Sequence, residues 1–291
     1  MEEGHPECPA RLSAIEDQLI ASGLLHFLQQ HDAPLATFDQ LARVHSRHYI
    51  ESIRAASPRQ GLVYLDPDTA MNPHSLSAAL RAAGAVILAV DLVLGGKAGN
   101  AFCAVRPPGH HAESARAMGF CIFNNVAVGV AHAMAQYGLR RVAIADFDVH
   151  HGNGTEEIFH DDPRVMLCST FQHPYYPYCG ADSGNEHIIN VPLPAGTNGA
   201  AFREAVSKYW LPALERFHPE IMFISAGFDA HRDDDMADFN LLEKDYTWVT
   251  QQIKAVAEKF CQGRIVSVLE GGYELNALGR SVLAHLKVLV G

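Results

Sequence analysis

The sequence predicts an α/β fold: a single-domain parallel sheet, flanked by helices on both faces, over residues 1–291. Three observations carry this reading. Apolar runs of strand length alternate with longer segments of helical period along the whole chain, the pattern of repeated strand–helix units. Most of those runs are apolar throughout rather than alternating, as strands covered on both faces are. No linker, repeat or low-complexity tract interrupts them.

The elements follow in order. Residues 10–21 read as a helix with Leu12, Ile15 and Leu19 on one face. Ser46 caps a second helix over 47–56. Residues 58–73 read as a loop containing Asp66-Pro67-Asp68. Asn72-Pro73 is a helix start, and the helix runs to Leu94, where Gly95-Gly96 ends it. A strand over 101–105 is followed by a polar loop, 106–121, and a helix over 122–137 that Gly138 closes. Strands are expected over 141–149, 164–171, 188–193, 220–228 and 264–270. Helices are expected over 155–159, 198–217, 242–260 and 276–290.

Composition narrows the class. A hydrophobic content of 48% suffices for a large core, and a formal net charge of −11 argues against a nucleic-acid surface, which needs a basic patch. The opening Met1-Glu2-Glu3-Gly4-His5 is no signal peptide. The longest apolar stretch, Ala85 to Leu94, contains Asp91 and is too short to span a bilayer. Six Cys without CxxC spacing read as reduced thiols. The expectation is a cytoplasmic enzyme without nucleic-acid or membrane partners; self-association is left open.

In parallel sheets the ligand site lies beyond the carboxyl ends of strands. Four predicted strands end in chemically useful groups. These are Arg106 to His111, Asp146 to Thr155, Ser225 to His231, and Gly271-Gly272-Tyr273. On a strand, Asp148 and His150 share a face. With Asp229 they make three metal ligands with one open position, the pattern of catalytic zinc. Such a metal activates water and polarises a carbonyl. His110 and His111 offer a general base and acid, and Tyr273 an oxyanion donor. No nucleophile elbow is present. The ensemble reads as metal-assisted hydrolysis of an amide or ester.

Plainer readings apply elsewhere. His5, His26, His31, His132 and His218 get no role. His151 is expected to hydrogen-bond its loop, and Asp233-Asp234-Asp235 to be a solvated acidic loop. Cys103, Cys121 and Cys168 read as small buried residues. Phe120, Tyr175 and Tyr176 read by default as core.

At the stretches Gly4-His5-Pro6-Glu7, 106–112, Gly119-Phe120-Cys121, 146–155, 225–230 and 270–273, the sequence resembles the histone deacetylase superfamily. That group includes acetylpolyamine amidohydrolases and acetoin-utilisation proteins. The resemblance implies an arginase/deacetylase-like fold and zinc ligands Asp148, His150 and Asp229. It implies the catalytic pair His110 and His111, with Asp146 orienting His110, and the transition-state Tyr273. It makes Phe120 and Tyr176, with Gly119 and Gly271, part of an acyl-lysine tunnel. Asp68, with Asp66 the less direct match, falls near the acid that holds substrate backbone. A structural potassium site is implied at Asp146, Asp148, His150, Ser169 and Thr170, and a second at the carbonyls of Phe159, Asp162 and Val165. Asn153 stands where some members carry a second orienting Asp. Tyr175 and Tyr176 stand where phenylalanine is commoner. The family's usual first strand would precede Gly4. Met236 stands where polyamine-preferring members are expected to carry Glu.

The implied activity is a zinc-dependent deacetylase acting on acylated lysine or a small acylated amine. The alternatives are an acetylpolyamine amidohydrolase and a catalytically silent binder of acylated ligands, which would be expected to lose Tyr273. A two-manganese ureohydrolase would need more carboxylates.

Overall fold

Strands rich in Val, Ile, Leu and Ala form the centre of the molecule. A computed structural model describes residues 4–291. The main sheet comprises β3 (Asn100–Cys103), β4 (Val142–Asp146), β5 (Val165–Gln172), β6 (Ile188–Leu193), β7 (Ile221–Ala226) and β8 (Ile265–Leu269), in the order β3-β8-β7-β4-β5-β6. Every neighbouring pair is parallel, so all carboxyl ends share one edge. Strands β4, β5, β7 and β8 are buried at every residue, because helices cover both faces.

One face packs α4 (Ser75–Leu94) and α5 (Asn125–Tyr137) over Ile144, Phe223 and Val266. The other packs α1 (Ala10–Ala21), α9 (Glu243–Cys261) and α10 (Leu275–Val290) around Phe147, Phe228 and Tyr246. α4 is long and apolar enough to cross a bilayer by length and composition alone, longer than the run Ala85 to Leu94 suggested. Here its Ala79, Ala83, Val86, Ile87 and Val90 are buried in the core.

Several local expectations hold. Ser46 Oγ accepts from Tyr49 N at the head of α3 (Arg47–Ala56), and Gly138 ends α5 in the left-handed region at φ 69°, which glycine adopts without cost. Others need correction. Residues 58–73 contain an antiparallel hairpin, β1 (Val63–Asp66) and β2 (Thr69–Met71), too short to show a period. Helix α4 begins at Ser75; the Asn72 carboxamide accepts from His74 N and Ser75 Oγ, capping from further back. The helix expected over 198–217 is interrupted by a π turn, Val206–Trp210, between Gly199–Ala205 and Leu211–Phe217. Most consequential, β4 stops at Asp146, so Asp148 and His150 are not on a strand.

Candidate active site

Beyond Asp146 the chain turns on its own carboxylates. Asp146 Oδ1 accepts from Asp148 N at 3.1 Å, and Asp148 Oδ1 accepts from His150 N at 2.9 Å. Val149 between them enters the core, and its carbonyl accepts from Gln172 N at 2.8 Å. These turns, rather than strand alternation, aim Asp148 and His150 together. Asp229, three residues past β7, joins them, its Oδ1 accepting from Val149 N at 3.0 Å.

The ligating atoms of Asp148, His150 and Asp229 all lie within 4.8 Å of one another, and all three residues are buried. Among the described residues this is the only group of three or more such side chains. Its electrostatics call for a cation. Burial and the neighbouring Asp148 charge push the Asp229 carboxyl up to about 6. Burial also opposes the Asp148 charge, but the His110 and His150 imidazoles outweigh it and hold that carboxyl well below its usual range. His150 Nδ1 sits 3.1 Å from both Asp148 Oδ1 and Asp229 Oδ2. Burial disfavours its charge, yet the two carboxylates raise it to about 10. Two acids sharing one imidazole form a donor set that a divalent ion fits. Gly271 was expected on the substrate path. Instead its N–H donates to Asp148 Oδ2 at 2.8 Å, and a Cβ there would strike the Asp229 carboxylate.

The histidine pair flanks this group. His110 Nδ1 lies 3.0 Å from Asp146 Oδ2, and His111 Nδ1 lies 2.8 Å from Asn153 Oδ1. Burial opposes charging both rings. For His110 the Asp148 and Asp146 carboxylates overcome it, raising the pKa well above the ordinary value. For His111 the neighbouring His110 and His150 add to it, and the pKa falls well below.

A cavity of about 270 Å³ opens onto these groups, lined by Asp68, His111, Gly119, Phe120, His150, Tyr175, Tyr176, Tyr178, Met236 and Tyr273. A larger depression of about 670 Å³ between α9 and α10 shares none of them, and the chemistry favours the smaller one. Phe120, Tyr175 and Tyr176 are therefore walls, not core. The Phe120 ring meets Tyr273 edge-on at 5.9 Å, and the Tyr176 ring meets His111 edge-on at 5.3 Å. Gly119 and Phe120 both take positive φ, 57° and 66°. For Phe120 this is strained, and hydrogen bonds hold it. Gly119 N donates to Asp68 Oδ1, and Phe120 N to Thr69 Oγ1, each at 3.0 Å. Asp66 stands behind, accepting from Asp68 N at 2.9 Å.

Ser169 and Thr170, on β5, are buried, and Ser169 Oγ has no hydrogen-bond partner. The carbonyls of Phe159, Asp162 and Val165 each already meet a partner, Asp162 N, Val165 N and His187 Nδ1. His151 bonds not its loop but the helix that follows, Nε2 lying 2.7 Å from Glu156 Oε2 in Asn153–Phe159.

The sequence reading missed three supports. Glu270 is fully buried; its Oε2 accepts from Gly109 N at 2.6 Å and His110 N at 3.1 Å. It ends the run before Gly271, and the strand-end rule could have flagged it. Arg11, also fully buried, donates to the Gly272 carbonyl at 2.6 Å and the Glu270 carbonyl at 2.5 Å, and lies 4.9 Å from the Tyr273 ring centroid. Its four-residue spacing from Ile15 placed it on the buried face. Asp234 is not solvated: it is 4% exposed and accepts from the amides of Tyr273, Glu274 and Met236.

A parallel sheet with a buried carboxylate–imidazole group at its carboxyl edge, beneath an aromatic-walled cavity, defines an α/β protein with a candidate metal site beside a cavity. A family model, Histone deacetylase domain, matches residues 5–289. The chain belongs to the histone deacetylase family, and it is 40% identical to a "Histone deacetylase-like amidohydrolase" of Pseudomonas aeruginosa, over 99% of this chain and 77% of that one. It is 37% identical to a "Probable deacetylase" of Archaeoglobus fulgidus, over 99% and 82%. It is also 37% identical to the "Polyamine deacetylase HDAC10" of Mus musculus, over 98% of this chain but 45% of that one. The solved "HDA15 HD domain" superposes with a TM-score of 0.92 at 35% identity, over 99% of this chain and 82% of that one.

Proposed function

We propose that the protein is a zinc-dependent deacetylase that removes acetyl or other acyl groups from lysine-type amines. The observation that carries this reading is the convergence on one cavity of the Asp148–His150–Asp229 group, His111 and Tyr273. Zinc held by those three residues would supply Lewis-acid polarisation of the scissile carbonyl and of water. The remaining work belongs to the chain. His111, its Nδ1 engaged by Asn153, presents Nε2 as the base; its depressed pKa keeps it neutral and ready to accept a proton. His110, held by Asp146, stands beside Asp148 as its charged or acid partner. The Tyr273 phenol stays protonated because burial raises its pKa, the Arg11 charge only partly opposing, so its hydroxyl is a donor for the developing oxyanion. Phe120 and Tyr176 wall the alkyl chain, and Asp68 stands at the cavity for substrate backbone. We also assign a structural potassium to Asp146, Asp148, His150, Ser169 and Thr170, on the strength of the unpartnered Ser169 hydroxyl. Six unpaired cysteines support a cytoplasmic placement.

Lysine-type substrates are favoured over polyamines because Met236, which lines the cavity, has no charge to pair an internal ammonium. Two of the three adjoining acids are engaged elsewhere, while Asp235, next to Met236, is exposed and is the acid that would lend charge nearby. Asp233 pairs with Arg280 and Arg232, and Asp234 with backbone amides. The polyamine reading is supported by likeness to the mouse polyamine deacetylase.

The test is acyl release by the purified protein from acetyl-lysine peptides, longer acyl-lysines and acetylpolyamines. Binding without release from any of them would make the protein a silent binder. A wild-type preference for acetylpolyamine of about tenfold, or a Met236→Glu variant that fails to move the ratio toward polyamine, would overturn the substrate assignment.

A further inference from the structure

We propose that Glu113 is a positioning residue that sets which nitrogen of His111 carries the proton, acting through Asn153. The inference deepens the functional reading above and rests on it for its kinetic test. A neutral carboxamide orienting a histidine is ambiguous by itself: it can present oxygen or NH₂, and each fixes the opposite tautomer. In this structure the ambiguity is removed from behind. Asn153 Nδ2 lies 2.9 Å from Glu113 Oε1, 3.3 Å from Met118 Sδ and 3.5 Å from the His111 carbonyl oxygen. The carboxylate, the thioether and the carbonyl are all acceptors, so the NH₂ group must face them. Oδ1 is thereby turned to His111 Nδ1 at 2.8 Å. His111 then donates from Nδ1 and keeps its lone pair on Nε2, the nitrogen left to face the cavity.

Glu113 is itself held in place. Its Oε1 and Oε2 accept from Arg116 Nη2 at 2.7 Å and Nε at 3.1 Å. Its backbone N–H donates to the Arg116 carbonyl at 2.9 Å. The chain of contacts runs from a partly exposed ion pair, through buried Asn153, to the base. No atom of Glu113 lines the cavity, so its effect on turnover has to pass through Asn153.

The decisive variant is Glu113→Gln. The new amide can offer NH₂ to Asn153, leaving only the long contacts to Met118 Sδ at 3.3 Å and the His111 carbonyl at 3.5 Å to hold its orientation, so that Asn153 can turn over and present its own NH₂ to His111 Nδ1. The lone pair then sits on Nδ1, and Nε2 carries a proton it cannot accept again. We expect kcat to fall about tenfold or more while KM stays within about twofold. The double variant Glu113→Gln/Asn153→Asp restores an oxygen that cannot be turned into a donor, and kcat should return to within about threefold of wild type. Nitrogen-15 NMR of the zinc-loaded protein reads the tautomer directly. Wild type should show His111 protonated at Nδ1, and Glu113→Gln should lose that signature. A wild-type His111 protonated at Nε2 overturns the proposal even if the variants fold poorly. So does a Glu113→Gln enzyme with wild-type kcat, or a double variant no better than the single. Because the tautomer is read without substrate, a wild type that hydrolyses nothing would count against the deacetylase reading and leave the Glu113 assignment to be decided by NMR.

Discussion

Replacing Arg11 with Met should cost more stability than any other single change to the supports of this site. The guanidinium is fully buried and makes three polar contacts: 3.3 Å to Glu7 Oε1, 2.6 Å to the Gly272 carbonyl and 2.5 Å to the Glu270 carbonyl. Glu7 would keep a partner in Arg106, which bonds both of its oxygens, so that acid is not stranded. The two carbonyls are. A buried acceptor left unpaired costs about 1–3 kcal/mol. Two of them put the loss near 3 kcal/mol, the lower end for breaking a buried pair. Met fills much of the apolar volume, so cavity terms stay small. For a domain of this size, 3 kcal/mol lowers Tm by about 5 °C. The assay is thermal melting of wild type, Arg11→Met and Arg106→Met at one pH and metal loading. Arg106 is partly exposed, so its variant should fall by less. An Arg11→Met midpoint within about 2 °C of wild type would refute the reasoning, since it would mean the two carbonyls do not depend on the guanidinium.

Three further outcomes are expected. Tyr273→Phe should lower kcat by about 10²-fold, with substrate binding changed much less; near-normal turnover would send the search to another oxyanion donor. Protein purified without chelator should carry about one transition ion per chain, and Asp229→Ala and His150→Ala should lose both metal and activity; full activity in a metal-free preparation would defeat this. The third concerns acid. His285 is buried between Thr250 Oγ1 at 2.7 Å and Ser267 Oγ at 2.9 Å, and burial lowers its pKa to about 3. The unfolded chain protonates this imidazole near 6.5 while the fold refuses the proton. Its contribution is therefore intact above that pH and is lost on acidification toward 3, at about 1.4 kcal/mol per pH unit. Between pH 7 and 4.5 the wild type should lose about 2.5 kcal/mol more than His285→Gln does in parallel denaturant titrations; equal losses would show that the imidazole is not held neutral.

The sheet and the edge that carries the candidate site were legible because apolar runs of strand length, alternating with helical segments, mark central parallel strands, and polar groups that follow parallel strands gather at one edge. Asp148 and His150 were assigned to the right place for the wrong reason. Alternation along a strand aims them together on paper, whereas two carboxylate-capped turns do so in the fold, after the strand has ended. The hairpin at Val63 to Met71 escaped notice because three- and four-residue strands carry no period. Asp234 escaped because a run of three aspartates gives no sign of which one turns inward to bond amides. Arg11 and Glu270 were signalled only in part, by the helical spacing from Ile15 and by the strand end before Gly271; the backbone carbonyls and amides they hold leave no mark in the sequence.

The hydrogen bonds from Gly119 and Phe120 to Asp68 and Thr69 have a consequence for how this cavity can change. The aromatic wall and the acid beside it belong to segments about fifty residues apart, yet each restrains the other. Neither can be altered as an independent part: a substitution at Asp68 also releases the peptide that keeps Phe120 in its strained conformation. A displacement of the small hairpin, which is no part of the main sheet, would carry the wall with it. The width of the cavity at Phe120 thus rests on a hairpin apart from the sheet whose edge carries Asp148, His150 and Asp229.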